Sequence, residues 1–518
     1  MRSTFMGLET SKRGLFTQQS ALYTTGHNIS NANTAGYSRQ RVNMNPTLGF
    51  PGMGLNAPKT AGHIGTGVEV ESVQRIRDVF IDRQFRQESN KLGYWESRSQ
   101  AITQMEDIMT EPSDHGLNVS LDNFWKSLND LSTNPENTGA RKVVVQRGVA
   151  VAESFNYMHK QLSDIQGNLK NEIIVSTDRV NSILNQLASL NDQVLTIEPN
   201  GYMPNDLYDA RDNLIDELST YFPLEISYDK TGGNSLAIAE GSVKVSIKTN
   251  TGSNIEVVNS KYAAQLTANT TPTQLMVDNG NYEPFTQFTI TGSGTIPSTT
   301  IDYSQLEVNK GKMLSLINSY GHGSVSSALG YFPETLAKLD ILAKQFAVAF
   351  NGIHSKGNPL PGKTKVDDFF IYTNGASDIK VKIEFENDPG LLNASSLPDE
   401  EGNSTNALLL AEIKFISLDG SLKVNGADLQ GATVQSFYQS LIGKMGVEAE
   451  QSNRLAYNST TIKLAVENNR AAVSSVSLDE EMTNMITFQQ AYNASARMIT
   501  VVDETLDKII NGMGRVGL

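Results

Sequence analysis

The sequence predicts a multidomain α plus β protein: an elongated, coiled-coil-like helical stalk built from both chain termini, with β-rich domains inserted between them. Three observations carry this. Both ends repeat apolar residues at heptad spacing, as at Leu8, Leu15, Leu22 and Ile29, which lays a narrow stripe along a helix. Residues 140–197 contain no proline and keep 3-4 apolar spacing, a run that reads as coiled coil or elongated bundle rather than compact globule. The middle of the chain turns to Thr, Ser, Val, Ile, Asn and Gly in alternation, as strands with polar turns do.

Taken in order, the Leu8–Ile29 stripe, with Phe5, Phe16 and Ala21 beside it, makes a first helix of about seven turns. Asn31, Asn33 and Gly36 stop it, because Asn and Gly tolerate the left-handed backbone that closes a helix. Tyr37–Val42 then alternates like a strand. A turn-rich stretch with Pro46, Pro51 and Pro58 follows, and Val68–Val73 reads as the return strand of a long hairpin, so a first segment covers 1–75. Residues 76–222 form a long-helix core, with one stripe at Ile81, Phe85, Leu92, Trp95, Ile102 and Met109 and another beginning at Val151, Phe155, Met158 and Leu162. Residues 223–328, with SVKVSIKTN and FTQFTITGSG, hold a β-rich insert.

At 329–356 a core helix returns: Phe332, Leu336, Leu339, Phe346, Phe350 and Ile353 share a stripe, and Pro333 suits its first turn. Residues 357–434, with DIKVKIEFEND and AEIKFISLDGSLKV, read as a second β-rich segment. The last segment, 435–518, has neither glycine nor proline between Gly446 and Gly512. Ser477–Glu480 fits a capping box that starts a helix afresh. Along that helix Leu478, Met482, Met485, Tyr492, Ile499, Leu506, Ile510 and Met513 share a seam interrupted by Gln489, Ala496 and Asp503. A narrow stripe on a lone helix is unstable, since helices gain most of their stability by burying the apolar face. The two terminal helices are therefore expected to pair, and two helices leave half of each seam for other subunits. This is a polymer- or ring-forming design. Gln489 either fixes register among subunits or sits at a wet, tolerant position.

Composition excludes several classes. The net charge is -14 over 518 residues, which argues against nucleic-acid binding, because neutralising phosphates needs clustered Lys and Arg. The chain has no cysteine, so disulfides, thiolate metal sites and cysteine nucleophiles are absent together. The first twenty residues contain no apolar run fit for a cleaved signal peptide, and no stretch is expected to span a membrane.

Motifs that suggest chemistry have structural explanations. Gly357–Thr364 spells G-x-x-x-x-G-K-T, but a helix precedes it, a strand-like DDFFIYT follows, and Pro359 and Pro361 remove N–H donors that a phosphate cradle needs. Tyr320–Ser324 lacks the G-x-S-x-G spacing of a nucleophile elbow. Histidines 27, 63, 115, 159, 322 and 354 are scattered. The acidic set Asp206, Asp209, Asp212, Asp216 and Glu217 is read as the solvated face of a short helix, and Asp479, Glu480 and Glu481 as first-turn acids favoured by the helix dipole. No catalytic, metal or cofactor residue is assigned.

Asn28–Gln40, NISNANTAGYSRQ, resembles the N-terminal signature of the flagellar rod, hook and hook-associated proteins, an Asn-rich motif ending in Gly-Tyr or Gly-Phe. The continuation SRQRV and the C-terminal SLDEEMTNMITFQQAYNASARMITVVDETLDKIIN resemble the hook-associated members in order and spacing. LDILAKQFAVAFNGIHSKG and GNSTNALLLAEI are similar to their internal landmarks, whereas the inserts carry little resemblance. The resemblance implies a non-enzymatic, extracellular structural component of the bacterial flagellum at the hook–filament junction. It implies export through the flagellum's own type III channel without a cleaved signal. Its implied partners are a ring of identical subunits, the hook protein, the next hook-associated or filament-side protein, and an export chaperone on the last helix. The alternatives are another axial protein, such as the hook or a different hook-associated protein, and a secreted hydrolase that borrowed the export termini and carries its site in 224–425.

Overall fold

A computed structural model describes residues 5–50, 64–109, 116–270, 282–306, 310–324, 327–417 and 431–512. Helix α1 (Phe5–Ser30) leads through a turn into an antiparallel hairpin of β1 (Gln40–Pro46) and β2 (Val68–Arg75); the alternation at Val68–Val73 lies within β2, whereas that at Tyr37–Val42 meets a strand only from Gln40 onward. Pro51, Pro58 and most of the hairpin's turn lie outside the described residues. Helices α2 (Val79–Met109), α3 (Leu117–Thr133) and α4 (Thr138–Ile197) follow. The proline-free run is one helix of 60 residues, about 90 Å long. Asn137 caps it by accepting hydrogen bonds from the backbone N–H groups of Gly139 and Ala140 at 2.8 and 3.2 Å. Val144, Val151, Phe155, Leu162, Leu169, Val180, Leu187 and Val194 form its buried face, so α4 is the spine against which the rest packs.

After α5 (Asn205–Tyr221) come β3 (Leu224–Asp229), β4 (Ser242–Lys248), β5 (Asn254–Asn259) and β6 (Tyr262–Ala263), an antiparallel sheet in that order. Strands β7 (Gln265–Thr270), β8 (Phe285–Thr291) and β9 (Thr299–Asp302) follow, then α6 (Tyr303–Leu306), α7 (Lys312–Tyr320), β10 (His322–Ser324) and β11 (Ser327–Leu329). The second sheet runs β11-β10-β8-β7 with β9 paired to β8. The strand-rich reading of 224–310 thus meets seven strands among the described residues, with α6 near its end. The core helix read from Phe332 to Ile353 is α8 (Tyr331–His354).

The second β-rich segment, 357–434, is corrected. Its described residues contain only the two-residue strands β12 (Phe370–Ile371) and β13 (Lys380–Val381), and then α9 (Ile383–Asn387) and α10 (Thr405–Glu412). Residues 418–430, including part of AEIKFISLDGSLKV, lie outside the described residues. The alternation yields no longer sheet than the β12–β13 pair because packing against the helices already satisfies burial. Phe369, Phe370 and Phe385 enter an aromatic cluster with Phe124, Phe346, Phe350 and His354 on α3 and α8, and Ile383, which a sheet face would bury, is exposed. Tertiary packing overrides a pattern only a few residues long.

The chain ends in α11 (Val434–Ser474) and α12 (Leu478–Gly512), with the break at Ser475–Ser477 where the sequence restarts the helix. Helices α2 and α11 run antiparallel, tied by Arg470–Asp82 at 2.9 Å near one end and Arg98–Glu448 at 4.0 Å near the other. Helices α1 and α12 are antiparallel too. A methyl placed on Gly7 would touch Val502 Cγ2 at 3.6 Å and one on Gly14 would touch Ser495 Oγ at 3.2 Å, so seven residues up one helix match seven down the other.

Candidate assembly interface

The Asn-rich stretch is a hydrogen-bonded clasp. Asn28 is buried in the last turn of α1. Its amide brackets the backbone of Gln40, donating to the carbonyl at 2.8 Å and accepting from the N–H at 3.0 Å. The Tyr37 hydroxyl donates to the same Asn28 Oδ1 at 2.8 Å and lies 2.9 Å from His27 Nδ1. Burial, then the nearby Asp206, Asp209 and Glu481, push the Tyr37 phenol well above its ordinary range, so it stays a neutral donor. Asn31 ties back to the His27 carbonyl at 3.1 Å and accepts from Thr34, while Asn33 is exposed. Gly36 has φ +77, and a Cβ there would run into the Asn213 side chain. Only glycine fits, for both reasons.

The clasp docks on an ion-pair hub. Ser38 donates its N–H and hydroxyl to Asp209 at 3.0 and 2.7 Å. Arg75 on β2 meets Asp209 at 2.7 Å, Asp212 at 2.9 Å, and also Glu240. Arg77 bonds Asp212 and Asp82, Arg86 bonds Asp212 and Asp216, and Arg211 bonds Glu240. Arg470 on α11 closes the set on Asp82 and Asp216. The side chains of Arg75 and Asp212 are 4% and 5% exposed. Burial alone would raise the Asp212 pKa, but Arg77, Arg75 and Arg86 outweigh it and hold the carboxyl well below the usual range. The hub joins hairpin, α2, α5, the loop before β4, and α11.

This corrects the reading of the acidic ladder as a solvated face. Asp206 and Glu217 keep substantial exposure, but Asp209, Asp212 and Asp216 point into the molecule. The signal that could have found them is the matching set of arginines at 75, 77 and 86, since buried carboxylates require such partners.

The terminal helices place the remaining candidate residues. Leu8, Leu15, Leu22 and Ile29 are half-buried, and the fully buried line on α1 is Thr17, Ala21, Thr25 and Asn28. Met485, Tyr492, Ile499 and Leu506 are half-buried on the side of α12 that carries Ser495 and Val502 against α1. Leu478, Met482, Gln489 and Ile510 are exposed, with Ile510 at 70%, and Met513 lies outside the described residues. Outward from the pair also point Phe5, Phe16, Tyr23 (72% exposed), Ile486, Met498 and Val501. Apolar side chains therefore stand on faces that nothing in the described chain covers.

The chemical decoys are ordinary structure. Gly357–Thr364 is a turn after α8, in which Lys363 Nζ pairs with Asp388 at 2.6 Å. His354 is wholly buried: Nε2 accepts from the Asn393 N–H at 3.1 Å, and Nδ1 lies 2.8 Å from the Asp367 carbonyl, to which it donates. Burial lowers its pKa to about 4. His63 and His115 lie outside the described residues, and among those described no His, Asp and Glu cluster could hold a metal ion. No described helix is long and apolar enough to cross a membrane.

Paired chain ends, a long helical spine and uncovered apolar faces define a structural subunit of an assembly. The comparisons with known proteins agree. The family model for the flagellar hook-associated protein FlgK helical domain matches residues 102–370, that for the flagella basal body rod protein matches 8–37, and that for the flagellar basal body rod FlgEFG protein C-terminal matches 469–512. The chain is 44% identical to flagellar hook-associated protein 1 of Bacillus subtilis over 99% of both chains. It is 26% identical to that of Salmonella typhimurium over 96% of this chain and 98% of that one. The solved flagellar hook junction protein FlgK of Burkholderia pseudomallei shares the fold, with a TM-score of 0.55 at 12% identity over 76% of this chain and all of that one. The chain belongs to the flagellar hook-associated protein 1 family. It is an axial component of the bacterial flagellum, at the hook–filament junction.

Proposed function

We propose that the chain joins hook to filament mechanically, by packing the α1/α12 pairs of neighbouring copies into a closed ring. The carrying observation is the uncovered apolar surface of that pair, including Phe16, Tyr23, Met482 and Met498. Such a patch on the described chain marks an interaction surface. Hook protein meets one side of the ring and the next hook-associated or filament-side protein the other. An export chaperone covers α12 before assembly, and the chain leaves the cell through the flagellar type III route without a cleaved signal. It has no enzymatic role. The segments 1–75 and 435–518 act as the assembly ends, and the 223–328 insert faces outward.

The test is a full-length chain carrying Tyr23→Asp and Met498→Asp as the only copy in motile cells. Both side chains are exposed, so the monomer should fold and be secreted while filaments fail to attach. Normal filament attachment would refute the proposal.

A further inference from the structure

A groove of about 380 Å³ lies between α2 and β3. Its floor is apolar, from Pro223, Leu224 and Ile226, and its rim carries Arg83, Lys91, Lys248 and Lys310. The only carboxylate in the lining is Glu225, and Lys248 occupies it at 2.6 Å. Lys91 is likewise spent on Glu88 at 2.7 Å. Among the described residues Arg83 and Lys310 have no ion-pair partner, and Lys310 rests over the Trp95 ring at 4.4 Å. Burial, reinforced by Lys91 and Arg98, lowers the Lys310 pKa, so an arriving anion would be favoured there. Strand β3 is the outermost strand of its sheet, and its open edge offers backbone donors and acceptors to an incoming segment.

The same chain displays a complementary loop. Residues 396–402, SLPDEEG, are all exposed, with Leu397 at 51%. Asp399, Glu400 and Glu401 have no ion-pair partner among the described residues, and the loop stands on a fixed base, where Asn358 and Ser395 exchange backbone hydrogen bonds at 2.7 and 3.2 Å. Loop and groove sit at different levels of the spine. Arg141 on α4 donates to the Leu392 carbonyl near the loop, and Glu172 on α4 pairs with Lys312 beside the groove. Thirty-one helical residues separate those levels, about 45 Å, so a chain cannot fill its own groove.

We propose that the groove between α2 and β3 receives the acidic loop 396–402 of a second copy, Leu397 on its apolar floor and the carboxylates beside Arg83 and Lys310. Two different surfaces meet in such a contact, so it is heterologous and propagates from copy to copy into a ring or helix. The proposal rests on the self-assembly reading above and adds a second, outer contact to the one made by the terminal helices.

Because the chain has no cysteine, Arg83→Cys and Glu400→Cys can be placed together in the full-length chain. Flagella isolated from cells with this as the sole copy are then oxidised and run without reductant. A ladder of dimers, trimers and larger species is expected, and each single variant should stay monomeric. No ladder from flagella that contain the chain overturns the groove contact and leaves self-assembly standing. If the unmodified chain is found only as isolated molecules on flagella, the self-assembly reading itself fails. In a second experiment, Arg83→Glu with Lys310→Glu should lower retention on flagella by roughly tenfold, as like charges across an interface do. Adding Glu400→Lys and Glu401→Lys should restore it, and failure to restore it overturns the proposal.

Discussion

Replacing Asp212 by Asn keeps the side chain's shape and removes the charge on which the hub converges. In the native chain this carboxylate meets Arg75 at 2.9 Å, Arg77 at 2.6 Å and Arg86 at 3.1 Å. Arg75 and Arg86 retain Asp209 and Asp216, but Arg77 is left with Asp82 alone at close range. Breaking a buried pair by removing one partner costs about 3–5 kcal/mol, roughly a fifth or more of the stability of a typical domain. The loss is local to the elements the hub ties, so hydrogen exchange read by mass spectrometry is the appropriate assay. Amides of α2 near Asp82–Asn90 and of α11 near Val466–Ser474 should exchange faster by about two to three and a half orders of magnitude, at roughly 1.4 kcal/mol per decade. Amides around Phe346 in α8 should not change. An acceleration below about fivefold at α2 and α11, or an equal one in α8, would refute the assignment of the hub as the joint between the hairpin, α2, α5 and α11. The pH dependence has a fixed sign. The folded-state pKa of Asp212 is depressed below its ordinary 3.8, so its contribution is complete above that value and disappears as pH falls through the folded pKa. The Asn variant should lack that acid-side loss.

Two further outcomes test the local geometry. Gly36→Ala must hold a side chain at φ +77 against Asn213 and should destabilise the clasp by about 1–3 kcal/mol, read as faster exchange at Tyr37–Gln40. Adding Asn213→Ala should recover the steric share and leave the backbone share, and a neutral Gly36→Ala would contradict the structure of the turn. His354 is held neutral with a pKa of about 4 against an ordinary 6.5. Its contribution is therefore whole above pH 6.5 and falls between 6.5 and 4, by about 3 kcal/mol at 1.36 kcal/mol per pH unit. Urea titrations at pH 7 and pH 4.5 should show this loss in the native chain and a smaller one in His354→Gln. Equal slopes would rule out the buried neutral imidazole as its source.

Much of this architecture is legible in the sequence because long periodic signals survive averaging. Sixty residues without proline at 3-4 spacing admit little but α4. The restart at Ser477 and the hairpin between Tyr37 and Val73 are marked by local chemistry. What stayed hidden depends on distant partners. Asn28 reads as one more residue of an Asn-rich helix end, but its function is to hold Gln40 across twelve residues of turn. The Asp209–Asp216 ladder has the spacing of a surface face, and only the arrival of Arg75, Arg77, Arg86 and Arg470 turns it inward. DIKVKIEFEND alternates like a strand, but only Lys380–Val381 pairs as one, and Phe385 packs into the aromatic cluster beside α8 instead of extending it.

The face of α1 was the subtlest case, and it bears on how the protein works. The heptad of Leu8, Leu15, Leu22 and Ile29 identifies the helix but not its most buried line, which is Thr17, Ala21, Thr25 and Asn28. Small residues are selected there because the hairpin comes close. Thr17 donates to the Val68 carbonyl at 3.2 Å, and a methyl on Gly67 would lie 3.4 Å from the Thr10 backbone. The large apolar residues are consequently displaced to the flanks, half-covered. Full burial of a Leu or Ile is worth about 1.5–3 kcal/mol, so four half-covered positions leave on the order of 3–6 kcal/mol of stabilisation to be gained from a neighbour. Exposed Phe5, Phe16 and Tyr23 add to that reserve. The carboxylates of the hub, by contrast, all meet arginines of the same chain. The same ends that Arg75 and Arg470 tie into the hub thus carry, a few turns away, apolar surface that the described chain leaves uncovered.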